Sequence, residues 1–516
     1  MKRALISVYN KTGIVEFTRT LIAQQFEIVS TGGTAKHLST AGIPIKPISE
    51  LTGLPEILDG RVKTLHPKIF GGILARRDDE SHLSEIEQHH IALFDMVVIN
   101  LYPFEETIRS AECTESEALD NIDIGGPSMI RAAAKNYPHV AVLTQPEQYP
   151  EVANEMKNNQ GEVSLATRKR LAAKAFSRTC EYDAAISGYF TRDSEIAQFP
   201  QQLALRFKKI QDLRYGENPH QKAAVYGDAD KPPAGIIAAR QLHGKALSFN
   251  NYLDLDAAVG CVQEFREPCA AIIKHTNPCG LAVGSALAGA YARAKATDPV
   301  SAFGSVVGLN KAVDEATARA ISEIFTEVVV APAFEPAALK ILQTKKNIRL
   351  LECLAAAGHR AAGLDVKRVQ GGVLIQDQDF FNLNDIKFTV ITKRQPTDYE
   401  WQAMKLGWRI VKWVKSNAIV FTSNTATIGI GAGQMSRVDS TRLAVEKARQ
   451  MGLDLTGTGV ASDAFYPFSD GVEMAARAGA TAIIQPGGSI RDPEVVETAD
   501  QLNLAMVFTH VRHFRH

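Results

Sequence analysis

The chain has 516 residues, enough for two to four domains at about 150 residues each. Apolar residues make up 45% and charged residues 22%, which excludes wholesale disorder, collagen-like and coiled-coil chains. Lys+Arg at 57 equals Asp+Glu at 57, so there is no general attraction to nucleic acid or an anionic membrane, and any anion recognition must be local.

Ala4–Val8, Glu27–Ser30, Met96–Asn100 and Val140–Thr144 are short apolar runs that predict strands, alternating with helical patterns as in a doubly wound α/β domain. Ile14–Ala23 reads as a helix entered through Lys11-Thr12-Gly13, and Gly126–Asn136 as one entered through Gly125-Gly126-Pro127. Ser164–Tyr189 lacks Pro and is rich in Ala, Arg and Lys, which predicts a long helix leaving the first domain, with a boundary near 191–205. From Leu213 the texture changes to short β-rich runs punctuated by Asn-Pro and Pro-Cys-Gly. Strands are expected at Ala270–Ile273, Ser305–Leu309, Val328–Val330, Ala418–Phe421, Thr427–Ile430, Ala482–Ile484 and Ala505–Phe508. Ala271–Val307 and Ala418–Pro467 are loosely alike, which raises a duplicated α/β subdomain as a hypothesis. Six cysteines without C-x-x-C spacing argue for free thiols in a reducing compartment. Neither a signal-peptide core nor an apolar run of about 18 residues occurs, so a cytoplasmic protein is expected.

Ser30-Thr31-Gly32-Gly33-Thr34 follows a strand and precedes a helical pattern, so its N–H groups and hydroxyls can converge on an anion, with Lys11 and Ser7 close by. A Gly turn with a Thr cap explains the same string equally well. Arg61-Val-Lys63-Thr64-Leu-His66-Pro67 gathers two cations, a hydroxyl and an imidazole, which suits a phosphorylated ligand or a solvated basic turn. Tyr102 ends the strongest apolar strand, where open α/β sheets hold their ligands, although a core aromatic would read the same way. Asp123 with Gly125-Gly126, followed by Arg131 and Lys135, joins a carboxylate, a Gly turn and two cations on one helix face.

In the second half Arg214-Tyr215-Gly-Glu-Asn-Pro-His220 concentrates donors in a turn, and Lys274-His275 stands at a strand end, where imidazole and ammonium suit acid–base work. A joint role requires the strand to end by residue 274, because adjacent strand side chains point to opposite faces. His275 and Cys279 resemble a metal spacing, but P-C-x-x-C fails at Ala282 and H-x-E is absent, so no metal is expected.

R-V-K-T-L-H-P, N-L-Y-P-F, I-D-I-G-G, R-A-A-A-K-N, R-Y-G-x-N-P-H-Q, K-H-x-N-P-C-G and G-I-G-A-G-Q-x-S-R occur in one order, and the whole chain resembles the bifunctional AICAR transformylase/IMP cyclohydrolase family of purine biosynthesis. The resemblance implies an α/β fold: a methylglyoxal-synthase-like cyclohydrolase domain over residues 1–198, then a transformylase over 199–516 built of two cytidine-deaminase-like α/β subdomains without zinc. It implies formyl transfer from 10-formyltetrahydrofolate to AICAR, then dehydrative closure of FAICAR to IMP. It also implies a homodimer with transformylase sites at the subunit interface, nucleotide and folate as small-molecule partners, and neither nucleic acid nor membrane. By resemblance His275 is the proton acceptor, Lys274 its cationic partner and Asn417 the formyl-positioning amide, while Arg214 with Tyr215, and Arg512, hold the nucleotide. Where other members have an aspartate before I-A-P, this chain has Glu327 before Val328-Val-Val-Ala-Pro332. Lys63, Tyr102, Asp123 and Lys135 match the cyclohydrolase residues, and Gly125-Gly126 an oxyanion site. Ser7, Lys11, Thr31, Gly32, Gly33, Thr34, Arg61 and Thr64 match its nucleotide-binding positions. A phosphate-sensing regulatory module and a zinc base deaminase are the competing classes.

Overall fold

Five strands open the computed structural model of this chain: β1 (Lys2–Val8), β2 (Phe26–Ser30), β3 (Lys46–Pro47), β4 (Met96–Asn100) and β5 (Ala141–Leu143). They form one parallel sheet in the order β3-β2-β1-β4-β5. Parallel strands need crossovers that cover both faces, and the interiors of β1 (Ala4, Leu5, Ile6) and β4 (Met96 to Ile99) are accordingly buried throughout. Helix Ile14–Ala23 buries Ile14, Phe17 and Leu21, the i, i+3, i+7 stripe of its sequence. The long helix Leu165–Thr191 buries Leu171, Ala175 and Tyr182 at the same kind of spacing and packs against helix Gly125–Lys135. Strand order reverses between β1 and β4, so the crevice of this sheet lies outside the carboxyl ends of its central strands.

The structure describes every residue except 59, 111, 192–198, 230, 358–362 and 381–382. The chain divides into two compact units, Met1–Arg206 and Phe207–His516. The boundary expected at 198/199 touches residues 192–198, which lie outside the described residues, and the units part a few positions later.

The second unit begins with the hairpin β6 (Phe207–Leu213) and β7 (Ala223–Asp228). Strands β8 (Arg240–His243), β9 (Cys269–Lys274), β10 (Asn277–Val283), β11 (Ser305–Leu309), β12 (Thr326–Ala331) and β13 (Arg349–Glu352) form a sheet ordered β10-β9-β11-β12-β13-β8. A second hairpin, β14 (Leu364–Val369) and β15 (Gly372–Asp377), precedes β16 (Thr389–Val390), β17 (Ile419–Thr422), β18 (Thr427–Gly431), β19 (Gly459–Ser462), β20 (Ala482–Gln485) and β21 (Ala505–Phe508). These last six are ordered β18-β17-β19-β20-β21-β16 when read from the same edge.

The two six-stranded sheets share one topology. In each, a hairpin forms one edge, its inner strand runs antiparallel to the next, two parallel pairings follow, and the first strand in sequence closes the far edge antiparallel. The duplication raised from sequence is therefore present, and it extends well beyond the two stretches that suggested it, over Arg240–Glu352 and Thr389–Phe508. Helices Phe249–Gln263 and Asp398–Val411 occupy equivalent places, and their apolar faces share a core with both sheets that includes Cys261, Val262, Trp408 and Trp413. A Cβ on Gly260 would lie 2.0 Å from the Trp413 ring, so the indole packs directly on helix backbone. The hairpin edges also meet: Val283 N donates to Thr425 O at 2.8 Å and Leu281 N to Thr427 Oγ1 at 2.9 Å.

Expected strands and helices are found within about two residues of their predicted ends, the usual scatter of element boundaries. One reading is corrected. The Asn-Pro and Pro-Cys-Gly stretch read as punctuation is strand β10, because an edge strand tolerates the missing N–H of Pro278 and a bulge at 278–280 absorbs the irregularity.

Candidate functional site

Each unit presents its own cluster. In the first, helix Gly32–Thr40 starts directly after β2, with Thr31 at its N-cap and Gly32 at φ +51°. Only glycine takes that conformation without cost, and it leaves the first N–H groups of the helix at the carboxyl end of the sheet. Thr34 Oγ1 joins this helix to the end of β1: it accepts from Val8 N and from Lys11 Nζ, both at 3.0 Å. Burial pulls the Lys11 ammonium below its ordinary pKa. The Thr31 hydroxyl donates to Glu56 Oε1 at 2.8 Å, so a carboxylate accepts from this loop. Lys63 Nζ lies 3.7 Å from where a Cβ on Gly32 would stand. Thr31, Gly32, Glu56 and Lys63 line a cavity of about 450 Å³.

Asp123 lies within electrostatic reach of Lys63. Its Oδ1 accepts from Gly126 N at 2.8 Å, and its own N–H donates to Tyr182 OH at 2.7 Å, so the long helix Leu165–Thr191 pins the loop. Burial pushes the Asp123 carboxyl above the usual carboxylate range, against the opposing pull of the Gly126 N–H, the Lys63 charge and the Tyr102 backbone. A Cβ on Gly126 would meet Asp123 Oδ2 at 2.4 Å, and one on Gly125 would meet Thr64 Oγ1 at 2.6 Å. Lys63, Thr64, Tyr102, Asp123, Gly125 and Gly126, drawn from three separate stretches of sequence, therefore converge. Tyr102 itself is exposed and meets the Tyr9 ring edge-on at 6.0 Å between centroids.

Three of the expected site residues already have partners or stand apart from this cluster. The Gly126 N–H is already given to Asp123 and does not stand open as an oxyanion donor. Arg61 is paired with Asp120 on the surface. Lys135 ends the helix that Gly125 begins, about 15 Å away at 1.5 Å per residue, and lines a different cavity with Arg131, Lys169 and Phe176. Ser7 lies half-buried near the end of β1.

In the second unit β9 ends at Lys274, and His275-Thr276 form a two-residue hairpin turn with φ of +51° and +63°. Such turns favour Asn-Gly, and a β-branched Thr there is strained. Strain of this kind persists where the surroundings over-determine it, as at functional sites. Here Asp254 Oδ1 accepts from Thr276 N at 2.6 Å, and Asn277 Nδ2 donates to His275 O at 3.1 Å. Lys274 Nζ donates to Phe303 O at 2.7 Å and Gly304 O at 3.3 Å. The condition for a joint role, a strand that ends by residue 274, is met.

The first turns of helix Phe249–Gln263 collect the remaining groups. Asn250 Nδ2 reaches Glu217 O at 3.4 Å, in the turn that follows Arg214 and Tyr215. Asn251 Nδ2 donates to Glu327 Oε1 at 3.1 Å, and Arg349 holds the same oxygen at 3.4 Å. Asp254, one turn on, supports His275, and burial raises its carboxyl pKa while the Thr276 N–H and the nearby imidazole oppose the rise. The other subdomain approaches through Lys415 N, which donates to Asn277 Oδ1 at 2.9 Å, two residues before Asn417. Ser416 N donates to Arg515 O at 2.9 Å and brings in the C-terminal segment, where the exposed Arg512 guanidinium lies 4.8 Å from the Phe514 ring. Arg214 likewise stands 5.5 Å from the Tyr215 ring. Sequence reasoning missed Glu56, Asp254, Arg437 and Asp463. Neither of the first two stands out from the charged residues around it, and only the last two carry a signal: Arg437 ends G-I-G-A-G-Q-M-S-R and Asp463 follows a buried strand.

Among the described residues no group of three or more His, Cys, Asp or Glu is placed to hold a metal ion. Burial pushes the Cys279 thiol up to about 12.

The model of the AICARFT/IMPCHase bienzyme family matches residues 133–447, more than half of the chain, and that of the MGS-like domain matches residues 13–128. Among solved structures, one described as "Crystal structure of ForH" is 33% identical over 37% of this chain and 97% of its own, with a TM-score of 0.33.

Proposed function

As a member of the AICAR transformylase/IMP cyclohydrolase bienzyme family, this chain carries the two final steps of purine biosynthesis, and we propose how its residues divide them. The cyclohydrolase occupies residues 1–198 and the transformylase 199–516.

Ring closure joins a carboxamide nitrogen and a formyl carbon of one molecule, so the site mainly holds a near-attack geometry. The nitrogen attacks the formyl carbon, Asp123 takes the carboxamide proton and passes it on to the formyl oxygen held by Lys63 and Tyr102, and that oxygen leaves as water, taking its second proton from the formylamino nitrogen as the ring C=N bond forms. The N-terminus of helix Gly32–Thr40, with Thr31, Gly32, Gly33, Thr34, Lys11 and Ser7, receives the 5′-phosphate, and Arg61 and Thr64 flank the nucleotide. Binding displaces the Glu56 carboxylate from Thr31. The observation that carries this reading is that Lys63 stands beside the Gly32 turn while Thr64 and Asp123 close on Gly125 and Gly126, with the Lys63 charge acting on the Asp123 carboxyl. Lys135 is left out of the set.

Formyl transfer faces a weak nucleophile, an aromatic amine whose lone pair is drawn into the ring. As the amine nitrogen bonds to the formyl carbon of 10-formyltetrahydrofolate, His275 takes its proton and Lys274 stabilises the carbonyl oxygen. The bond from carbon to the folate nitrogen then breaks, and that nitrogen takes up a proton. Arg214, Tyr215 and Arg512 hold the nucleotide, and Glu327, fixed by Asn251 and Arg349, lines the same region.

We also propose a homodimer in the cytoplasm. The exposed Phe207, Ile210 and Tyr226 on hairpin β6/β7 and Val366, Val373 and Leu374 on β14/β15 support a second copy as their cover. No helix among the described residues is long and apolar enough to cross a membrane.

The test is an absorbance assay with AICAR and 10-formyltetrahydrofolate that follows tetrahydrofolate and IMP together, repeated with FAICAR alone. A fragment ending at residue 198 should close supplied FAICAR without folate, and a folded but inert fragment would refute the division.

A further inference from the structure

We infer that Arg437, anchored by Asp463, is a positioning residue for formyl transfer that decides which atom of the Asn417 amide is offered to the reacting groups. The inference rests on the proposed formyl transfer and on the positioning role that the family resemblance implies for Asn417, and it deepens that role. Asn417 Nδ2 donates to Gln434 O at 3.0 Å and to Met435 O at 3.1 Å, so both amide hydrogens are used. Arg437 Nη2 donates to Asn417 Oδ1 at 2.9 Å. Two carbonyls can face only the nitrogen, and a guanidinium can face only the oxygen, so the partners dictate the orientation of the amide. One lone pair of Oδ1 is then the only hydrogen-bonding position left on this side chain. Asn417 accepts an N–H of the attacking amine and has no hydrogen for the formyl oxygen.

The guanidinium is fixed on its other side. Arg437 Nη1 donates to Ser462 Oγ at 2.8 Å and to Asp463, and the two charged residues are only 6% and 0% exposed. Asp463 also accepts from the Ser416 hydroxyl, and its backbone carbonyl accepts from His513 N at 2.9 Å. Asp463 thus ties together, through its carboxylate, the residue before Asn417 and the arginine on Asn417 and, through its backbone carbonyl, the C-terminal segment that carries Arg512. The Asn417 backbone carbonyl is held as well, by Ser440 Oγ at 2.7 Å. Lysine could keep the charge beside Asp463, but as a single point donor it cannot bridge Asp463 and Asn417 as the planar fork does.

The experiment compares full-length Arg437→Lys, Asn417→Ala and the double variant, with formyl transfer measured per folded molecule and cyclisation of added FAICAR as an internal control. A misplaced reacting group of this kind costs on the order of 10²-fold in turnover. Arg437→Lys should lower kcat for transfer by about that factor with KM for AICAR nearly unchanged, and the double variant should be no worse than Asn417→Ala alone. Normal transfer in Arg437→Lys, or losses that multiply in the double variant, would overturn the positioning role while leaving that of Asn417 intact. Normal transfer in Asn417→Ala would overturn both. If thermal melting shows that Arg437→Lys unfolds the second unit, the uncharged pair Arg437→Gln/Asp463→Asn carries the same comparison, because it leaves no buried charge unpaired.

Discussion

Replacing Gly33 by alanine separates a phosphate-binding loop from a plain glycine turn. Gly33 is the second residue of helix Gly32–Thr40 and is exposed, and unlike Gly32 it has no positive φ. A Cβ built on it meets nothing within 4 Å, so the folded chain accommodates alanine without strain. Alanine in place of glycine gains about 0.5–1 kcal/mol inside a helix and a few tenths near its start, so the melting temperature should hold or rise slightly. The space that Cβ would fill is the space through which a phosphate would approach the first N–H groups of the helix. Overpacking a close contact costs about 1–3 kcal/mol, which corresponds to roughly 5- to 150-fold weaker binding. The phosphate is remote from the bond being made, so the loss should fall on KM for FAICAR and spare kcat. Initial rates of IMP formation from FAICAR, with a thermal melt on the same sample, supply both quantities. An unchanged KM in a protein of unchanged stability would reduce S-T-G-G-T to a capped turn and move the nucleotide elsewhere.

Lys63→Ala removes a cation proposed to meet the reacting oxygen and should lower cyclisation by about 10²–10³-fold, so that FAICAR accumulates while transfer continues. Asp123 carries a raised carboxyl pKa, so cyclisation should fall as pH drops through a value above the ordinary 3.8, and this acidic limb should be absent from the residual activity of Asp123→Asn. For stability the sign is opposite: this buried carboxyl favours the folded state when protonated, and its contribution declines as pH rises from 3.8 through the folded value. His275→Ala should lower formyl transfer by roughly 10²–10⁴-fold per folded molecule and leave closure of added FAICAR unchanged. Near-normal transfer from a stable His275→Ala protein would remove the imidazole from the mechanism.

Much of this protein was legible in its residues. Apolar runs such as Met96–Asn100 and Ser305–Leu309 can be buried strands only in a sheet covered on both faces, so local pattern alone determined them. Ordered motifs determined the family, and with it the two reactions, because they lie where elements begin or end and their chemistry depends on the residue types present. Other features had no local signature. Pro278 and Gly280 read as breaks until the sheet edge that tolerates them was known. Lys135 follows the Asp123 loop closely in sequence, yet the length of the intervening helix Gly125–Lys135 separates them. The duplication was faint in sequence because sheet order depends on pairing between distant strands, and many different apolar side chains satisfy the same pairing. The most consequential contacts were invisible for the same reason. Glu56 at Thr31, Asp254 under the His275 turn, and Asp463 holding Arg437 against Asn417 join residues 22 to 26 positions apart. Composition and motif supplied the groups capable of the chemistry. Only the packed structure decided which of their hydrogen bonds are already satisfied, and hence which donors and acceptors remain for a substrate.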